Sequence, residues 1–220
     1  METVYEGRYV RFSTTSKKDA AVLLGADTLV GDFFTVSLRV EKGRSIAWLT
    51  NRFGADTGYL DSEATRMVQL AEARGWTTKA LLSFIAYSDN PDPGEYWGEM
   101  ALFCYDPAYE AEFSAFARTL SDRLSEGARP DIFLSQQGIE KVLGTKGGWF
   151  PSSTVPLPEK RTGTVIMKSK RSLSEKLVEQ SRKGNVGCYV VGWAFILALV
   201  ALAAFGLKHL GFDRDRKSVV

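Results

Sequence analysis

Hydrophobic and polar positions alternate over several stretches of this chain and recur at helical spacing over others, so its elements can be read in order. Gly7 to Thr14 alternates and predicts a short strand. Ser16 then offers an N-cap for a brief helix in which Ala20, Leu23 and Leu24 share a face, with Gly25 as the stop. From Asp32 to Asn51, Phe34, Val36, Leu38 and Val40 alternate with polar residues, and Glu41-Lys42-Gly43-Arg44 turns the chain into a second strand through Ile46 to Leu49. Asp61 or Ser62 caps a helix whose Ala64, Met67, Val68 and Ala71 form one apolar stripe before Gly75. Lys79 to Tyr87 and Glu95 to Tyr105 predict a second hairpin, joined by the Pro- and Asp-rich loop Ser88 to Gly94. Asp106 and Pro107 then open a helix striped by Tyr109, Phe113, Phe116, Leu120 and Leu124, which Gly127 closes.

Past Gly127 the elements shorten. Ile132 to Leu134 suggests an edge strand, Ser135 caps a helix from Gln136 to Leu143, and the stretch from Gly144 to Gly163 reads as a Gly-, Pro- and Ser-rich linker. Thr164 to Met167 can form one more strand. Ser172 and Glu175 have capping-box spacing ahead of a basic helix ending near Lys183.

Gly184 to Leu207 contains no charged residue, and at about 1.5 Å per residue its core from Val186 reaches about 33 Å, enough for a bilayer. The pattern predicts a transmembrane helix over 184–208, with Val186, Tyr189, Trp193, Phe195, Leu199 and Phe205 in the span. Tyr189 and Trp193 stand near one interface. A buried helix of a soluble core is the competing reading.

The expected fold class is therefore α+β: a two-layer antiparallel sheet with packed helices, then a linker and one C-terminal transmembrane helix. The expected domains are a soluble α+β domain over 1–144, a linker and basic juxtamembrane helix over 145–183, the span over 184–208 and a polar tail over 209–220. No apolar export signal precedes the anchor, and Lys and Arg lean toward the N-terminal side. Both place the N-terminal domain in the cytoplasm.

Composition narrows the chemistry. Charged residues make up 25% of the chain and the net charge is +2, with no long basic run of the kind that binds nucleic acid. The one histidine, His209, lies past the predicted span, so no Ser-His-Asp or Cys-His triad forms inside the domain. Of the two cysteines, Cys104 falls in a strand and Cys188 in the span, which argues against pairing. Asp89, Asp92 and Glu95 bring oxygen ligands into one loop, but Pro91 and Pro93 break the EF-hand spacing. Lys146 among Gly144, Gly147 and Gly148 falls short of a P-loop.

The remaining signal is a basic cluster, Lys168, Lys170, Arg171, Lys176, Arg182 and Lys183, which fits contact with anionic lipid headgroups. An ordinary solvated helix face uses the same residues. Ala194 and Ala198 make a small-x-x-x-small pair that allows a homodimer through the span. No motif requires a cofactor or a metal. These readings together describe a single-pass anchored protein whose domain is a non-catalytic binding or scaffold module with a protein partner. The alternative is an enzyme or sensor using carboxylates or backbone amides on a small anionic or lipid ligand.

Overall fold

In the computed structural model the chain is described over 3–25, 27–90, 92–159 and 162–182, the side chains of 17–19 and 178–182 aside. Residues 1–175 form one compact unit and 176–220 a second, of which the described part is the end of a helix. The elements are β1 (Tyr5–Ser13), α1 (Lys17–Leu24), β2 (Phe33–Glu41), β3 (Arg44–Thr50), β4 (Asp56–Leu60), α2 (Ser62–Ala73), β5 (Thr77–Ser88), β6 (Glu95–Tyr105), α3 (Glu110–Ser125), α4 (Gln136–Gly144), β7 (Thr164–Lys168) and α5 (Leu173–Arg182).

The strands run in the order β2-β3-β4-β1-β6-β5-β7, every pairing antiparallel, and β2 also pairs with β5 through Phe33 opposite Leu81 and Phe34 opposite Ala80. That last pairing joins the two ends of a six-stranded row. Leu82 N–H donates to Asp32 O at 3.1 Å, and Gly31 N–H to Leu82 O at 2.8 Å, extending the seam. The fold is a closed six-stranded antiparallel barrel with β7 added to β5 beyond the point where β2 departs. The expected two-layer α+β sheet is therefore corrected. Two features caused the error. β4, read from Asp-Thr-Gly-Tyr-Leu, has too little alternation to be recognised, and the β2–β5 seam joins residues far apart in sequence, which local periodicity does not report.

The single-pass membrane description is corrected with it. Among the described residues no helix is long and apolar enough to cross a membrane, and the most apolar described runs, in β5 and β6, are strands. The stretch 184–208, including Val186, Tyr189, Trp193, Phe195, Leu199 and Phe205, lies outside the described residues.

Six strands enclose less room than the eight that side chains can just fill, so the interior is packed. Val10, Phe12, Leu49, Ala80, Leu82, Ile85, Met100 and Leu102 meet there, with Leu23 from α1 and Ala64, Met67, Val68 and Ala71 from α2. Asp61 starts α2 as expected, its carboxylate accepting the Ala64 N–H at 2.8 Å. Gly98 on β6 has no room for a side chain: a Cβ would meet Phe84 O at 2.2 Å and the Phe12 ring at 2.7 Å.

Outward-facing residues of β1, β6 and β5 are covered too, which explains why β5 and β6 read as nearly unbroken apolar runs. Tyr5, Leu81, Phe103 and Tyr105 lie under α3, whose Phe113, Phe116, Leu120 and Leu124 form the stripe read from the sequence. The Tyr5 and Phe113 rings stack at 5.0 Å, and Phe150 stacks on Phe116 at 4.7 Å. A bulge between Leu82 and Phe84 changes the direction of β5, so that Leu82 and Ile85 point inward while Phe84 and Ala86 point outward.

Candidate functional site

The other end of this wall is covered differently. Residues 129–132 run along β1 from the α3 end, where Tyr5 Oη donates to Ile132 O, toward the other end, where Tyr9 Oη donates to Pro130 O, both at 2.9 Å. A strap around Ser153 to Pro156 lies over that segment. Asp131 N–H donates to Ser153 O at 2.9 Å and Val155 N–H to Arg129 O at 2.7 Å, and Pro130 bridges Thr154. Past the strap, where the chain continues through Pro158 and Glu159, a recess of about 610 Å³ opens over the wall, lined by Arg11, Ser88, Asn90, Glu95, Trp97, Glu99, Pro158, Glu159, Thr162 and Thr164.

Register explains the convergence. Arg11 on β1 stands opposite Glu99 on β6 and Glu99 opposite Phe84 on β5. One row further, Ser13, Trp97 and Ala86 align, and the next row holds Glu95, Ser88 and Thr164. Four adjacent strands thus aim their outward side chains into one concavity, and strands fix positions better than loops.

Behind the recess lies Arg129, only 5% exposed. It pairs with Glu99, donates to Pro156 O at 3.0 Å, and sits 4.4 Å from the Tyr9 ring centroid and 5.3 Å from that of Phe84. Its Nε is buried without a hydrogen-bond partner. Burial pushes the Tyr9 phenol well above its usual range, with the Arg129 cation pulling the other way. A buried ion pair stabilises little by itself because both charges lose water, whereas removing one partner is costly. This pair therefore fixes geometry: it locks Glu99 at the recess and the strap beside it.

At the recess, Trp97 Nε1 donates to Ser88 Oγ at 2.8 Å, and Ser88 Oγ lies 2.9 Å from Thr164 Oγ1. The Phe84 ring meets Trp97 edge-on at 5.5 Å. Arg11 lies over the Trp97 ring at 4.3 Å and donates to Glu95 Oε1 at 2.7 Å. A second recess of similar size, lined by Thr3, Tyr5, Glu6, Gly7, Arg74, Trp76, Phe133 and Leu134, brings one carboxylate, one guanidinium and two hydroxyls. The first brings three carboxylates, a guanidinium, three hydroxyls and an amide, the richer set of convergent polar groups.

The basic cluster divides on inspection. Lys168 Nζ turns inward, donating to Gly25 O at 2.9 Å and Thr28 O at 3.0 Å and pairing with Glu175 at 3.1 Å. Arg171 is 6% exposed, its Nε donating to Val30 O at 2.6 Å and its Nη2 meeting Asp32 at 3.3 Å. Both are spent on anchoring the loop before β2. Lys170 and Lys176 are exposed, the Arg182 side chain is not described, and Lys183 lies outside the described residues.

Among the described residues no cluster of three His, Cys, Asp or Glu side chains fits a metal ion. Of the acidic loop, Glu95 is engaged by Arg11, and Asp89 N–H donates to Gly163 O at 3.0 Å. The glycine loop around Lys146 packs on α3, where a Cβ on Gly147 would lie 2.3 Å from Glu112 O. Cys104 points into the barrel core, and burial pushes its thiol up to about 11, which keeps it protonated and unreactive.

Arg11, Trp97, Glu99 and Arg129 were not singled out by sequence reasoning. Their signal is a register, Arg11 against Glu99, that exists only once β1 is known to pair with β6. No family model matches the chain, and neither a curated protein nor a solved structure does.

Proposed function

We propose that the chain is a non-catalytic binding module that presents the recess over β1, β6, β5 and β7 to a protein partner. One observation carries the reading: Arg11, Ser88, Glu95, Glu99 and Thr164 of the recess are mounted on four paired strands, and Glu99 is locked from behind by Arg129. Such preorganisation lowers the ordering cost of binding. The filled barrel interior supports it by leaving ligand chemistry to the outer wall.

The test is retention of a partner on the immobilised full chain, compared with Asn90→Arg and Glu159→Arg. Both positions are exposed at the recess, so the added bulk and charge block it without entering the core. The reading expects one stoichiometric partner, recovered chemically unchanged, with retention at least tenfold lower in either variant. A partner recovered in altered form, or retention indifferent to both substitutions, overturns it.

A further inference from the structure

The recess already holds a guanidinium, that of the chain's own Arg11. Arg129 occupies Glu99, the residue opposite Arg11 in register, so Arg11 reaches diagonally across Trp97 to Glu95 instead. An aromatic face beside a carboxylate suits a planar cation. The ring quadrupole attracts it from one side, and the carboxylate accepts N–H bonds in its plane.

The seat and its occupant differ in how firmly they are held. Trp97 is 8% exposed, hydrogen-bonded through its indole N–H and packed against Phe84. The Arg11 and Glu95 side chains are 44% and 36% exposed, and exposed pairs of this kind exchange readily with water and competing ions. A fixed seat is thus covered by a displaceable arm. Glu159 at the rim adds a further negative charge, and a volume of about 610 Å³ holds an amino-acid side chain with its backbone.

Resting on the reading of this recess as a binding surface, we propose that it takes an arginine side chain of a partner polypeptide. The partner's guanidinium replaces that of Arg11 over the Trp97 ring and pairs with Glu95 and Glu159. Arginine suits the seat better than lysine, because its planar, weakly hydrated head stacks on a ring and bonds a carboxylate with two N–H groups at once.

The experiment titrates the full chain with N-acetyl-L-arginine amide and, as control, the citrulline analogue of the same shape without charge. The readout is the indole N–H resonance of Trp97, assigned through Trp97→Phe. Arg11→Ala removes the internal competitor and is expected to tighten binding of the arginine probe about fivefold. Adding Glu159→Gln is expected to reverse most of that gain, and the citrulline probe to bind at least tenfold more weakly throughout. Unchanged or weaker arginine binding in Arg11→Ala, or equal binding of the two probes, overturns the proposal. If the probe fails while partner retention stays sensitive to Asn90→Arg, the ligand class falls and the binding surface stands. If both fail, both readings fall.

Discussion

Tyr5, Phe103 and Tyr105, at one end of the β1–β6–β5 wall, lie under α3, whereas Arg11, Trp97 and Glu99, at the other end of the same strands, line an open recess beside the strap. The first half is closed by apolar packing: Phe113, Phe116, Leu120 and Leu124 are all fully buried. The second is closed by directional bonds, among them Tyr9 to Pro130 O and Arg129 to Pro156 O. Apolar cover fills space without regard to direction, while polar cover holds a segment at set points and leaves room beside it. The recess is that room.

The largest expected effect lies in the packed half. Phe116→Ala removes a ring that touches Tyr5, Phe103 and Phe150, so denaturant unfolding should show a loss of about 3–5 kcal/mol. In the strapped half, Arg129→Met leaves Glu99 without its cation and should cost about 3 kcal/mol, most of it recovered in the double variant Arg129→Met, Glu99→Leu. No recovery would show that Arg129 acts by packing between Tyr9 and Phe84, and the two halves would then be held alike. Tyr9→Phe removes the donor to Pro130 O and should cost about 1 kcal/mol by the same measurement.

The smallest effect is a pH dependence away from the wall. Hydrogen bonds from Arg39 hold Asp56 below the usual carboxylate range. A carboxylate with a depressed folded pKa contributes its full stability above its unfolded value, about 3.9, and loses it as pH falls through the folded value. The thermal-midpoint difference between the natural chain and Asp56→Asn should therefore be steady at neutral pH and shrink toward zero in acid. A difference that grew in acid would reverse the assigned sign.

What could be read from the sequence was local. The β2–β3 hairpin follows from alternation and from Lys42 and Gly43, which both take positive φ at its turn. The Asp61 cap and the α3 stripe follow from helical spacing, and Ser172 with Glu175 forms the capping bonds that their spacing implies. The seam between Phe34 and Ala80 and the row from Arg11 through Glu99 to Phe84 were not legible, because each depends on which distant strands meet. Two members of the basic cluster were illegible for a related reason. Lys168 and Arg171 look solvated in a row of cations, but carbonyls from residues 25–30 reach them only in the folded chain.

Closure of the barrel supports everything else, since it fills the interior and moves the polar chemistry to the outer wall. Amide hydrogen exchange at Gly31 and Leu82 tests it most directly, because these two N–H groups bond across the seam. A closed barrel predicts protection of both comparable to that of Met100 and Leu102 in the middle of β6, lost only on global unfolding. Fast exchange at Gly31 and Leu82 with β6 still protected would mean an open sheet and would contradict the account.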